Sequence, residues 1–118
     1  MREYYYETVY ILRPTLSDEE IEKAIEKVNN AVEKYNGKVL HIDKWGKKQL
    51  AYPINDYQMG YYVLLHIHTN DRNFVKNLEN FFRINEDVIR FLSFRIKPSE
   101  VKGLKKEEAK SDSEANNG

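Results

Sequence analysis

The sequence predicts an α+β fold with elements in the order β-α-β-β-α-β: a four-stranded antiparallel sheet carrying two helices on one face. Three observations carry this expectation. Runs rich in aromatic and β-branched residues at 4–12, 38–54, 59–68 and 88–96 read as strands. Two segments, one from Ser17 and one from Asp71, repeat apolar residues at helical spacing. The chain of 118 residues, 41% of them hydrophobic, suits a single core.

The first strand, YYYETVYIL, stops at Arg13-Pro14, and both of its faces are largely apolar, as expected of a central strand. Ser17 and Glu20 have the spacing of a capping box, and acids fill the first turn. Ile21, Ala24, Ile25, Val28, Val32 and Tyr35 then form an apolar stripe that Asn36-Gly37 ends. Two strands follow, joined through INDYQ as a hairpin. Phe74, Val75, Leu78, Phe81 and Phe82 mark the second helix, and VIRFLSFRI the last strand. With right-handed crossovers this order folds most simply as a ferredoxin-like sheet of strand order 4-1-3-2, leaving the second sheet face open.

The domain is expected over residues 1–97, with a charged, disordered tail over 98–118, because that segment has few bulky apolar groups. The chain has no cysteine, which excludes a disulfide framework, and its start lacks the apolar run of a signal peptide. No stretch approaches the roughly 20 apolar residues that span a bilayer. A cytoplasmic protein without membrane contact is the expectation. Nineteen basic side chains balance nineteen acidic ones, so attraction to nucleic acid must come from local groups. Lys38, Lys44, Lys47 and Lys48 stand against Asp43 alone between residues 37 and 55.

The segment WGKKQLAYPI (45–54) lies on an edge strand in this topology, where the missing N–H of Pro53 breaks no ladder bond and the proline ends the strand. Drawn straight, the strand would reach roughly 50 Å at about 3.3 Å per residue, too long for the domain, so it bends or overhangs, with Gly46 as the bulge. Trp45, Leu50, Tyr52 and Pro53 then offer an adhesive edge to a protein partner. Arg2, Lys47, Lys48, Arg90 and Arg95 are the candidate phosphate ligands, and Tyr4 or Tyr52 can stack a splayed base. His41, His66 and His68 share neighbouring strands, without a carboxylate that marks a metal site, and read as ordinary sheet histidines. No arrangement for nucleophilic or acid–base catalysis and no glycine-rich phosphate loop is present, so no enzyme activity, cofactor or small-molecule substrate is expected.

MREYYYETVYILRP with its Tyr6-Glu7 pair, GKKQLAYPI, GYYVLL and INEDVIRFLSFRI resemble, in order and spacing, the bacterial small-subunit ribosomal protein six family over residues 1 to 97. The chain departs from that pattern in its extra tyrosines, Tyr4 and Tyr5, and in Gln49, where a basic residue is often found. The resemblance implies a non-catalytic protein that binds the central domain of small-subunit ribosomal RNA together with ribosomal protein eighteen. It carries over Arg2, Tyr6, Lys48, Tyr52, Pro53 and Arg90 as matching positions. A second reading, open on the residues alone, is a small regulatory or metabolite-binding domain that homodimerises through its open sheet.

Overall fold

The computed structural model describes residues 2–102. Its elements are β1 (Tyr4–Leu12), α1 (Asp18–Lys34), β2 (Gly37–Ile54), β3 (Tyr57–Thr69), α2 (Phe74–Ile84) and β4 (Val88–Ile96), followed by a 3-10 turn at Pro98–Glu100. The four strands form one antiparallel sheet in the order β2-β3-β1-β4, the expected order read from the opposite edge.

Local chemistry explains the boundaries. Ser17 caps α1 through a complete capping box: its hydroxyl accepts from the Glu20 amide at 3.2 Å, and its own amide donates to Glu20 Oε1 at 2.9 Å. α2 begins at Phe74 rather than Asp71, because the Asp71 carboxylate is engaged in a turn, accepting from the Asn73 amide at 2.9 Å and from Asn36 Nδ2 at 2.9 Å. These bonds, the Asn36 side chain first, hold the Asp71 carboxyl below the usual carboxylate range.

The hairpin turn is only Asn55-Asp56, with φ of 50° and 68°, so β3 starts two residues before the predicted Met59. Pro53 lies inside β2 and does not end it. No residue between Gln49 and Ile54 has a β3 partner, and pairing resumes at Ile54 with Tyr57, so the missing N–H costs no ladder bond.

Alternation along β1 sends Tyr6, Tyr10 and Leu12 toward the helices. There Tyr10, Leu12, Val63, Leu65 and Ile67 meet Ile21, Ile25, Val28 and Val32 of α1 and Phe74, Leu78 and Phe82 of α2. Phe82 is the hub, its ring centroid 5.4 Å from that of Tyr10 and 5.1 Å from that of Phe91. Thr8 on the same face is buried and bonds Ser93 across the strands at 2.8 Å. Gly37 permits close approach where α1 passes into β2, since a Cβ there would meet the Phe74 ring and Val32.

The register places Glu7, Val9 and Ile11 of β1 on the other face, beside His66, Leu64 and Tyr62 of β3 and Phe94, Leu92 and Arg90 of β4. Leu92 is 60% and Phe94 44% exposed there. Residues 98–102 fall within the segment expected as tail and are among the described residues. Val101 is fully buried although it lies outside the helix-side core, and the Lys102 amide donates to His66 Nδ1 at 2.9 Å. The Val101 side chain, the Lys102 amide and the Lys102–Asp43 ion pair thus tie residues 98–102 to the sheet. Residues 103–118 lie outside the described residues.

Candidate nucleic-acid interface

The bulge in β2 builds the first cluster. The register with β3 slips between Lys44 and Gly46, leaving Trp45 without a partner, and Gly46 takes φ of +84°, a conformation that favours glycine. Trp45 stacks on Tyr62 with ring centroids 6.2 Å apart, and Lys48 Nζ lies 5.1 Å from the Trp45 ring centroid. The Trp45 indole, followed by Lys102, holds the Asp43 carboxyl below the ordinary carboxylate range.

Beyond the bulge the hairpin crosses the open face. Arg90 of β4 donates to the Tyr52 hydroxyl at 2.7 Å, and its guanidinium carbon is 5.6 Å from the Tyr52 ring centroid. Ile11, Leu50, Tyr52, Tyr62 and Arg90 line a small cleft between hairpin and sheet. Leu50, expected on an adhesive edge, is only 7% exposed and packs within the protein, so its apolar surface is not offered to a partner. Trp45, Tyr52 and Pro53 remain exposed. Lys47, exposed and paired with Tyr61, alternates to the opposite face from Lys48.

A second cluster sits at the start of β1. Arg95 lies over the Tyr4 ring at 4.8 Å, Tyr4 stacks on Tyr6 at 6.3 Å, and Tyr6 on Phe74 at 6.2 Å, a ladder from surface cation to core. Burial raises the Tyr6 phenol above its ordinary value, against the opposing pull of Arg95. Arg2, Tyr4, Asn70 and Arg72 line a shallow depression beside it.

The seven residues expected to bind RNA therefore do not form one patch. Arg90 pairs with Ile11 and Arg95 with Tyr6, so the two guanidinium groups stand on opposite sheet faces, about 17 Å apart along β4 at about 3.4 Å per residue. Lys48 lies against Trp45 and Arg90 against Tyr52, whereas Arg2, Tyr4, Tyr6 and Arg95 gather at the start of β1. Tyr62 and Arg72 enter these clusters without a sequence signal that marks them, because each depends on a partner remote in the chain.

The histidines differ from expectation in one respect. A carboxylate does face them: Glu7 Oε1 is 3.0 Å from His66 Nε2, while the His41 and His66 ring centroids are 5.9 Å apart. Among the described residues no group of three or more His, Cys, Asp or Glu side chains is arranged to hold a metal ion.

The sequence profile described as ribosomal protein S6 matches residues 5–95. The small ribosomal subunit protein bS6 of Aquifex aeolicus is 43% identical over 98 residues, spanning 83% of this chain and 89% of that protein. The protein of the same name from Clostridium novyi is 44% identical over 87 residues, 74% of this chain and 90% of its own length. Among solved structures, the crystal structure of 30S ribosomal protein S6 from Thermotoga maritima superposes with a TM-score of 0.76. It is 28% identical to this chain and covers 94% of it, matched over 99% of its own length. With the profile matched over residues 5–95 and relatives aligned over most of their length, the chain belongs to the ribosomal protein S6 family.

Proposed function

We propose that this protein is a structural, non-catalytic constituent of the small ribosomal subunit that binds the central domain of small-subunit ribosomal RNA together with ribosomal protein eighteen. The observation that carries the reading is the seating of Arg90 and Arg95 against the rings of Tyr52 and Tyr4. A guanidinium held on a ring keeps most of its N–H donors for phosphate and loses less freedom on binding. The seated guanidinium plane is itself a stacking platform for an unpaired base. With zero net charge the chain has no general attraction for RNA, which makes a second protein that completes the binding surface physically reasonable. The exposed Leu92 and Phe94 supply apolar surface for that protein.

Family membership places the chain in the ribosome, in the cytoplasm. Among the described residues no helix is long and apolar enough to cross a membrane. The deciding experiment mixes the full chain with the central-domain rRNA fragment, with and without ribosomal protein eighteen. Tight binding only when both proteins are present is expected. Affinity should fall with salt at a log–log slope of about 3.5 to 4.5 if about five phosphates are contacted. A slope near zero overturns the phosphate assignment, and a stable homodimer indifferent to both RNA and the second protein would favour the regulatory reading.

A further inference from the structure

The segment after β4 does something the binding reading does not use. It turns at Pro98–Glu100, buries Val101 completely and brings the Lys102 amide to His66, in the middle of the otherwise open sheet face. His66 is itself 2% exposed, and its two ring nitrogens have different partners: Nδ1 faces the Lys102 N–H at 2.9 Å, and Nε2 faces Glu7 Oε1 at 3.0 Å. A backbone N–H can only donate, so Nδ1 must carry a lone pair, and the ring proton then sits on Nε2 and is donated to Glu7. This bond exists only for neutral His66.

We propose that Pro98–Lys102 is a strap that closes the centre of the open sheet face while His66 is neutral and lifts away when His66 takes up a second ring proton. The proton arrives from solvent at Nδ1. Two N–H groups then point at each other, the Lys102 amide loses its acceptor, and it turns to water. The groups facing His66 set up the competition. Glu7 of β1 favours the imidazolium, and the Lys102 amide favours the neutral ring. The His41 ring of β2 lies tilted beside it, centroids 5.9 Å apart, and opposes a second positive charge when it is itself protonated. β4 contributes the uncharged Phe94, opposite Glu7. The other tie of the strap, Lys102 Nζ to Asp43 at 3.4 Å, joins two groups that are both substantially exposed, and such pairs hold weakly. Burial of Val101 resists opening, so release rests on the His66 bond. This inference stands whether or not the protein binds RNA, and it makes access to the sheet face dependent on acidity.

Hydrogen exchange of the Lys102 amide in the full chain, expressed as a protection factor at each pH, reads the strap directly. Between about pH 8 and about pH 5, where imidazoles change charge, protection should fall by about tenfold, the worth of one net hydrogen bond. In His66→Asn the side-chain carbonyl takes the place of Nδ1 at every pH, so protection should persist and its pH dependence vanish. Glu7→Gln leaves the buried ring in place and removes the charge that favours the imidazolium, so the loss of protection should move to lower pH. Protection that is constant across this range in the unmodified chain overturns the proposal. So does an equal fall in His66→Asn, or an unshifted midpoint in Glu7→Gln.

Discussion

Arg90 donates to the Tyr52 hydroxyl at 2.7 Å, tying one edge strand, β4, to the far end of the other edge strand, β2. The tie explains how an 18-residue strand is accommodated on a much shorter sheet: its outer third leaves the ladder after Gln49 and folds over Ile11 and Tyr62. The same arginine is a candidate phosphate ligand, so hairpin geometry and the proposed RNA contact share one side chain.

Arg90→Ala should therefore free the hairpin end. Tyr52 is 57% exposed, so the hydrogen bond contributes modestly, and global stability should fall by no more than about 1 kcal/mol. Amide exchange at 50–54 should nevertheless accelerate, and rRNA affinity should drop more than in Tyr52→Phe, which keeps the ring and the guanidinium. Equal affinities for the two variants would argue that Arg90 acts only by positioning the hairpin.

Phe82 is 1% exposed and touches Tyr10, Phe81 and Phe91. Phe82→Ala should destabilise the fold by about 3–5 kcal/mol in urea unfolding, the transfer free energy plus an unfilled cavity, because rings on several sides cannot all collapse inward.

Tyr10 is fully buried, and among the described residues its hydroxyl has no hydrogen-bond partner. Burial accordingly pushes its phenol well above the ordinary tyrosine range. Tyr10→Phe removes a polar atom in an apolar setting and should leave stability unchanged or raise it by about 1 kcal/mol. A loss of more than that in thermal unfolding would show that the hydroxyl is satisfied in solution.

Those two core side chains also show what the sequence made legible. Helical spacing identified the Phe82 stripe, and period-two alternation identified the faces of β1, so element order and sheet order follow from local pattern. The clusters at the surface are another matter. Arg95 meets Tyr4 and Arg90 meets Tyr52 across sequence separations of 91 and 38, and only the fold brings them together. A composition rich in charge likewise concealed Val101, a single apolar residue seated on the open face, and Leu50, which the hairpin turns inward.

Ser17→Ala should cost about 1 kcal/mol through loss of the cap. The Ser17 amide, and then its hydroxyl network, holds the Glu20 carboxyl below its ordinary value of 4.5. Lowered carboxyl values at Glu20, Asp43 and Asp71 fix the sign of the acid response. Each stabilises the fold above its unfolded-state value and loses that contribution as pH falls through its folded-state value. Unfolding monitored from neutral pH downward should show stability declining below the ordinary carboxylate range, with a shallower decline in Glu20→Gln. An identical acid limb in that variant would contradict the assignment.

Gly46 separates local strain from contact loss. A Cβ at this position meets nothing within 4 Å, so the cost of Gly46→Ala comes from φ of +84° alone, about 1–2 kcal/mol for an L-residue held in the left-handed region. The chain can relieve that strain by surrendering the bulge, but a one-residue slip would carry Trp45 off Tyr62 and Lys48 off the Trp45 ring. Two outcomes are distinguishable by the fluorescence of Trp45, the only tryptophan in the chain. Strain borne in place leaves the emission unchanged while stability falls. A lost bulge shifts the emission toward that of a solvated indole and weakens rRNA binding with it. The second outcome is expected, because residues 50–53 have no β3 partners to hold the register against a slip.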